Sequence, residues 1–569
     1  MERFVRRIIK FRWLIIITVI SLTLFFGYQI RYLTINSDIL STLPDDEQTA
    51  HLYKEIGDQF GGNDIGMIVL ETDNVFKTEV LQHVRQITDS LRITTGVSTV
   101  TSLTNILDIK SSDWGIEIGR LVDEYDLPDE QSELDSLKNY VFSKEMYKGT
   151  VVSEDGTATI IVFTLFPDAD MQAAAKEIKN EVGAMNLSEK LYFGGLPFML
   201  NDITHLILSD MIWLIPFVFI IIALLLFFSF RSLRGMLLPL LTAGITVIWT
   251  LGLMGFTWFE LTVISNIIPV VLLAIASAYT IHVLNSINLN ILKDRKQALI
   301  KAMAYTVVPV IMASLTTAIG FISFVFGAYL TMIRDFGICT AIGILIALLL
   351  SIFFVPALIS AFSMHRKKAG TEKTEKKSLL SRVILQPLIR LLFNRPKYIL
   401  GVWCILLLLS IGGIFLIKSS VNITDYFKED NPTRVSEYVL QKKFGGSLPT
   451  FVLFEGDIQE PEVLKMMVKT EKFMKEDPNI TTAQSVADLV EQMNNAMGEG
   501  ERVPDDKAKI EQLWFLLEGQ DVMPQLVSDD LDKGVIQSKF ASIETDEIEA
   551  YTVKMKKFIQ ENSNEGYNI

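Results

Sequence analysis

Seven stretches of this sequence, each about 18 residues or longer, carry so little charge that water is a poor solvent for them. They run 13–30, 211–230, 235–256, 261–284, 307–330, 336–362 and 398–417. A hydrocarbon core of roughly 30 Å needs a helix of about that length, so a multi-span membrane protein is the expected class. Hydrophobic residues, 50% of the chain, agree with it. The first stretch is too long for a signal peptide and lacks its small-residue cleavage site, which makes it a retained anchor. Both cysteines, Cys339 and Cys404, fall inside these stretches, so no disulfide framework is implied.

The net charge of -14 says less than the placement of the charges. Arg3, Arg6, Arg7, Lys10 and Arg12 precede the first span; Arg231 and Arg234 follow the second; Lys293, Arg295, Lys296 and Lys301 follow the fourth; the basic segment 365–377 follows the sixth. The alternate turns, 257–260 and 329–333, hold no Lys or Arg. Positive charge marks the cytoplasmic side, so the N-terminus is expected in the cytoplasm and the segments 31–207 and 418–569 outside. These carry most of the acidic excess, which disfavours nucleic acid and anionic lipid surfaces as partners.

The two outer segments share an order of features. Each has an aspartate soon after its span (Asp38, Asp425), an acidic turn, an amphipathic helix, Phe-Gly-Gly at Phe60 or Phe444, an aliphatic strand, a second helix and an Ile-Thr-Thr run. Duplication explains this better than chance. Each copy reads as one span followed by an α+β domain of the split βαβ kind. In the first copy a strand and turn, LYFGGLPF, come next; the second copy ends about where that strand would begin. The expectation is a second domain that is incomplete, in a chain that goes on past residue 569.

The layout, with SLTTAIGFISFVFGAYLTMIRDFGICTAIGILIALLLSIFFVPALIS at 314–360, Ala-Tyr-Thr-Ile-His at 278–282 and Arg231-Ser232-Leu233-Arg234 before Leu238-Pro239, resembles the resistance-nodulation-division superfamily. The branch is that of the MMPL-type exporters of hydrophobic and amphiphilic molecules. The resemblance implies a membrane α-helical bundle with extracytoplasmic α+β, ferredoxin-like porter domains. It divides the chain into 1–30, the cytoplasmic N-terminus and first span; 31–207, the first porter domain; 208–363, a five-span block that also resembles a sterol-sensing module; 364–397, a basic cytoplasmic linker; 398–417, the seventh span; and 418–569, the second porter domain. It further implies a bacterial cytoplasmic membrane, a lipid or other amphiphilic substrate passing between the porter domains, contact with membrane lipids, and a homo-oligomer or periplasmic adaptor as the kind of partner such exporters use.

No P-loop, His-Glu-x-x-His, Cys/His cluster or Gly-x-Ser-x-Gly elbow is present, so neither an enzyme nor a bound cofactor is expected and the energy for transport would come from an ion gradient. In exporters of this kind an aspartate in the fourth span precedes the tyrosine and takes up the driving proton. Here that position is Ala278, which cannot titrate. Tyr279 and His282 are the remaining coupling candidates, with His282 roughly 15 Å from the helix centre toward the cytoplasm. Ala274, Ala278 and His282, four residues apart, share a face on which a second helix could pack. Arg334 and Asp335 read as a local pair or helix start at the edge of the sixth span. A lipid-binding or sensing protein that keeps the fold without transport is the alternative.

Overall fold

A computed structural model describes residues 2–38, 40–44, 48–112, 115–123, 126–230, 232–289, 295–362, 386–417, 423–541, 544–563 and 567–569. Arg231, Lys293 and the basic segment 365–377 lie outside the described residues. Contacts divide the chain into two compact units, Met1–Pro44 with Ile203–Lys418 and Asp45–Asp202 with Ser419–Ile569.

Among the described residues seven helices are long and apolar enough to cross a membrane: Arg12–Tyr32, Leu196–Phe230, Gly235–Thr257, Ser265–Ser286, Leu299–Gly327, Thr331–Ala361 and Pro396–Ile414. The second and sixth begin well before their hydropathy does, since a nucleated helix propagates through polar residues such as Asn201 and Asp202 at little cost. The third, fourth and sixth bury 61%, 56% and 61% of their apolar windows, against 6% for the second and 0% for the seventh, so these three form the core of the first unit. The first span packs on the third, where a side chain at Gly252 would overlap the Phe26 carbonyl. Pro216, Pro239 and Pro309 lie inside their helices. Pro269 instead lies in the first turn of Ile268–Leu289, where an N–H would have no helical partner, and Pro356 opens Val355–Ala361 behind a π-helical turn, Leu350–Phe354.

The second unit is built from two α+β halves. The first contains β1 (Asp64–Glu71), β2 (Val97–Thr101), β3 (Leu107–Ser112), β4 (Gly115–Arg120), β5 (Ala158–Leu165) and β6 (Lys190–Gly195), with a sheet ordered β2-β5-β1-β6 and a separate β3-β4 hairpin. The second contains β7 (Leu448–Glu455), β8 (Ile480–Gln484) and β9 (Lys533–Phe540), ordered β7-β9-β8. The halves match in register as well as order. Asp64 faces Leu165 as Leu448 faces Phe540, and β2 and β8 are each irregular at the same place, between Val97 and Thr99 and between Ile480 and Thr482. At the outer edges Glu71 pairs with Lys190 and Glu455 with Asn568, both antiparallel.

Each half covers its sheet with a helix from the other. Leu440 and Phe444 of α2 (Pro432–Phe444) pack on Met67, Val69, Ala158 and Ile160 of the first sheet. Ile56, in α1 (Gln48–Gln59), and Phe60 just after it pack on Val535, Phe451 and Leu453 of the second. The opposite face of the first sheet, through Ile68 and Leu70, meets the helices Thr78–Ile93 and Met171–Ala184. Covered on both faces, β1 is apolar without alternation, and Met67 to Leu70 are all fully buried.

Candidate functional site

Helix Ile268–Leu289 carries the residues singled out in the fourth span. Its packed side is Leu272, Leu273, Ala276, Tyr279, Thr280 and Val283. Ala274 and His282 are exposed in the first unit and Ala278 is partly so. The alanine face is therefore not the packed one, because the larger residues on the other side return more free energy per residue when buried. The Tyr279 hydroxyl is buried without a hydrogen-bond partner among the described residues, and the Thr317 hydroxyl donates to Ala313 O at 2.8 Å. Thr280 and Ser351 hydroxyls lie 3.4 Å apart across two spans. Thr242, Thr246 and Thr250 donate back to Leu238, Thr242 and Thr246 carbonyls at 2.8, 2.8 and 2.9 Å, which satisfies each hydroxyl inside an apolar bundle. This hydroxyl row, at every fourth position, is visible in the sequence as Thr242, Thr246 and Thr250. Arg334 and Asp335 do not open the sixth span: Leu330 is its N-cap and Arg334 Nε donates to Ala328 O at 2.9 Å.

The second unit holds a cleft of about 2420 Å³ lined by residues of both α+β halves. Ile65, Val162 and Phe166 from the first half and Pro449 and Phe451 from the second give it apolar surface, with Thr99, Thr482, Gln484 and Gln537 between them. Several of its charges are already paired. Asp108 accepts hydrogen bonds from Tyr140 at 2.8 Å and Tyr147 at 2.7 Å, and Lys110 Nζ lies 2.7 Å from its second oxygen in ion-pair contact. Burial first, and then that carboxylate, push both phenols well above their usual range. Arg92 pairs with Asp521 at 3.0 Å, joining the halves. Lys443 donates to Asp155 and Thr157. Burial opposes it, but these bonds and those from Ser153 and Thr157 hold the Asp155 carboxyl well below the carboxylate range. Among the described residues no three His, Cys, Asp or Glu side chains gather as a metal site.

Comparison with known proteins fits this layout. The model of the MMPL family matches residues 41–395, more than half of the chain. The chain belongs to the MMPL family. A protein of Methanocaldococcus jannaschii, named only as a membrane protein, is 24% identical over 375 residues, which is 62% of this chain and 91% of that one. For an MMPL protein the matched segment covers the first α+β half and spans two to six, so the fourth span and the first sheet both lie inside it.

Proposed function

We propose that this MMPL protein exports lipids or other hydrophobic or amphiphilic molecules from a bacterial cytoplasmic membrane, driven by an ion gradient. The observation that carries the reading is the cleft. At about 2420 Å³ it is larger than the roughly 300–1,000 Å³ of an ordinary small-molecule pocket, and it mixes apolar strand faces with hydroxyls and amides, as a molecule with a long tail and a polar head requires. In this reading the two α+β halves are porter domains of the ferredoxin-like kind. The order β2-β5-β1-β6 with intervening helices, and the matching register of the second sheet, support that assignment. The Lys and Arg asymmetry of the short loops supports a cytoplasmic N-terminus with both porter domains outside.

The test is release of a fluorescent amphiphile from cells carrying the protein. Release that stops when the ion gradient is collapsed supports the exporter; a protein that binds the probe but never moves it would be the lipid-binding or sensing alternative, which Ala278 favours. His282 is the coupling residue proposed here. Its exposed imidazole leaves folding unaffected when replaced, so His282→Gln is expected to reduce gradient-driven release at least tenfold with the amount of folded protein unchanged. Unaltered release in that variant removes His282 from the coupling path.

A further inference from the structure

The duplication supplies an internal control, because a position where one copy departs from the other is not explained by the shared fold. Thr164 of β5 faces Ile65 and Thr99, and its hydroxyl lies 2.7 Å from that of Thr99 and donates to Gly61 O at 3.2 Å. The equivalent position in β9 faces Pro449 and Thr482 and is Lys539. Thr482 keeps the hydroxyl of Thr99, and Gly445 stands where Gly61 does, but the hydroxyl that bridged them is replaced by an ammonium on a four-carbon stem. That ammonium belongs to the lining of the cleft and is only partly exposed. Among the described residues its side chain makes no hydrogen bond and no ion pair.

Arg92, Lys110 and Lys443, which line the same cleft, do not share this condition, since each holds a carboxylate. Burial alone pushes the Lys539 ammonium down to about 8, with no carboxylate acting to raise it. A cation taken partly out of water with no counter-charge is a standing cost, and a protein keeps one where a ligand supplies the anion. Its neighbours in the sheet, Pro449, Phe451, Thr482 and Gln537, offer apolar surface for a chain and two polar groups for a head.

We propose that Lys539 is the headgroup-binding residue of the cleft and selects amphiphiles bearing an anionic head, a carboxylate or phosphate on an aliphatic tail. The proposal rests on the reading of the cleft as an amphiphile site. A charge-assisted hydrogen bond from Nζ to the head fixes one end of the molecule, and the apolar strand faces take the tail. Neutral amphiphiles would occupy the same space without that anchor.

The experiment uses the full chain in phosphatidylcholine nanodiscs, with dansyl-undecanoic acid and its methyl ester as probes that share a tail and differ by one charge. The acid is expected to bind about tenfold more tightly than the ester. Lys539→Thr, which installs the residue of the sister strand and so suits the fold, should remove that difference by weakening the acid alone, and Lys539→Arg should retain it; thermal melting of each variant confirms folding. A Lys539→Thr protein that still prefers the acid overturns the proposal. Equal binding of acid and ester by the unaltered chain overturns it too, while leaving the cleft an amphiphile site. Binding of neither probe removes the cleft reading and the proposal together. Inorganic phosphate that displaces the acid at equal concentration would make this a site for free anions and not for amphiphiles, again against the proposal.

Discussion

Gly446→Ala is expected to destabilise the second unit by about 3 kcal/mol, enough to lower the folded-to-unfolded ratio roughly a hundredfold. Two costs combine. Gly446 has φ of 107°, a conformation that an L side chain adopts only under strain, and a Cβ there would overlap the Phe540 carbonyl at the end of β9. The carbonyl cannot yield without moving the strand that carries Lys539. Gly62 has φ of 103° and would meet Leu165 O in the same way, so Gly62→Ala should cost a similar amount. Gly61 is the control. Its φ is also positive, at 79°, but the nearest atom to an added Cβ is Ser98 Oγ at 3.6 Å, so Gly61→Ala should lose only about 1 kcal/mol. Urea titration of the full chain, followed by tryptophan fluorescence, reads all three. Equal losses at Gly61 and Gly62 would show that turn strain alone matters and that the close approach to the strand does not.

These paired glycines were legible in the sequence, and so was most of the architecture around them. Apolar length gives a span without ambiguity, and the same order of features at Phe60 and Phe444 gave the duplication before any contact was known. What a one-dimensional pattern cannot give is the partner of a buried face. The periodicity of α2 announces that Leu440 and Phe444 are covered, yet nothing local says that the covering sheet belongs to the other half, since an apolar face is non-directional. The fourth span fails for the same reason: Ala274, Ala278 and His282 form a valid face, and the burial of Leu272 and Tyr279 on the other side is a tertiary choice. Lys539 was hidden differently. In the run Val535 to Phe540 it alternates as a solvent-facing strand residue should, and only the register with Thr482, and through it the comparison with Thr164, shows that it faces the cleft. A net charge of -14 is no guide to one desolvated ammonium.

Glu471 is the other residue that sequence alone reads as ordinary, one acid in the run Lys469-Thr-Glu-Lys, and the structure makes it a source of pH sensitivity. It lies on the helix Pro461–Lys475, is 2% exposed, and its Oε1 has no hydrogen-bond partner. Asp488 faces it from the next helix, Val486–Ala496, where its carboxylate accepts from Ser485 N at 2.9 Å in a capping box. Burial, and next the charge of Asp488, push the Glu471 carboxyl well above the carboxylate range; burial pushes Asp488 up as well, against Lys475 and the bond from Ser485. The pair therefore holds one proton on Glu471 in the folded chain under conditions where an unfolded glutamate has lost it. With the folded value above the unfolded one, the folded state binds more protons through that window, and stability falls as pH rises, by about 1.4 kcal/mol per pH unit from near pH 4.5 until the raised value is passed. Glu471→Gln keeps the shape and the neutral form and removes the titration. It is expected to match the unaltered chain near pH 5 and to be the more stable of the two near pH 8, measured by urea unfolding with Trp514 of the same core as reporter. A gain of the same size at both pH values would mean that the glutamine merely packs better, and that Glu471 is not the group that titrates.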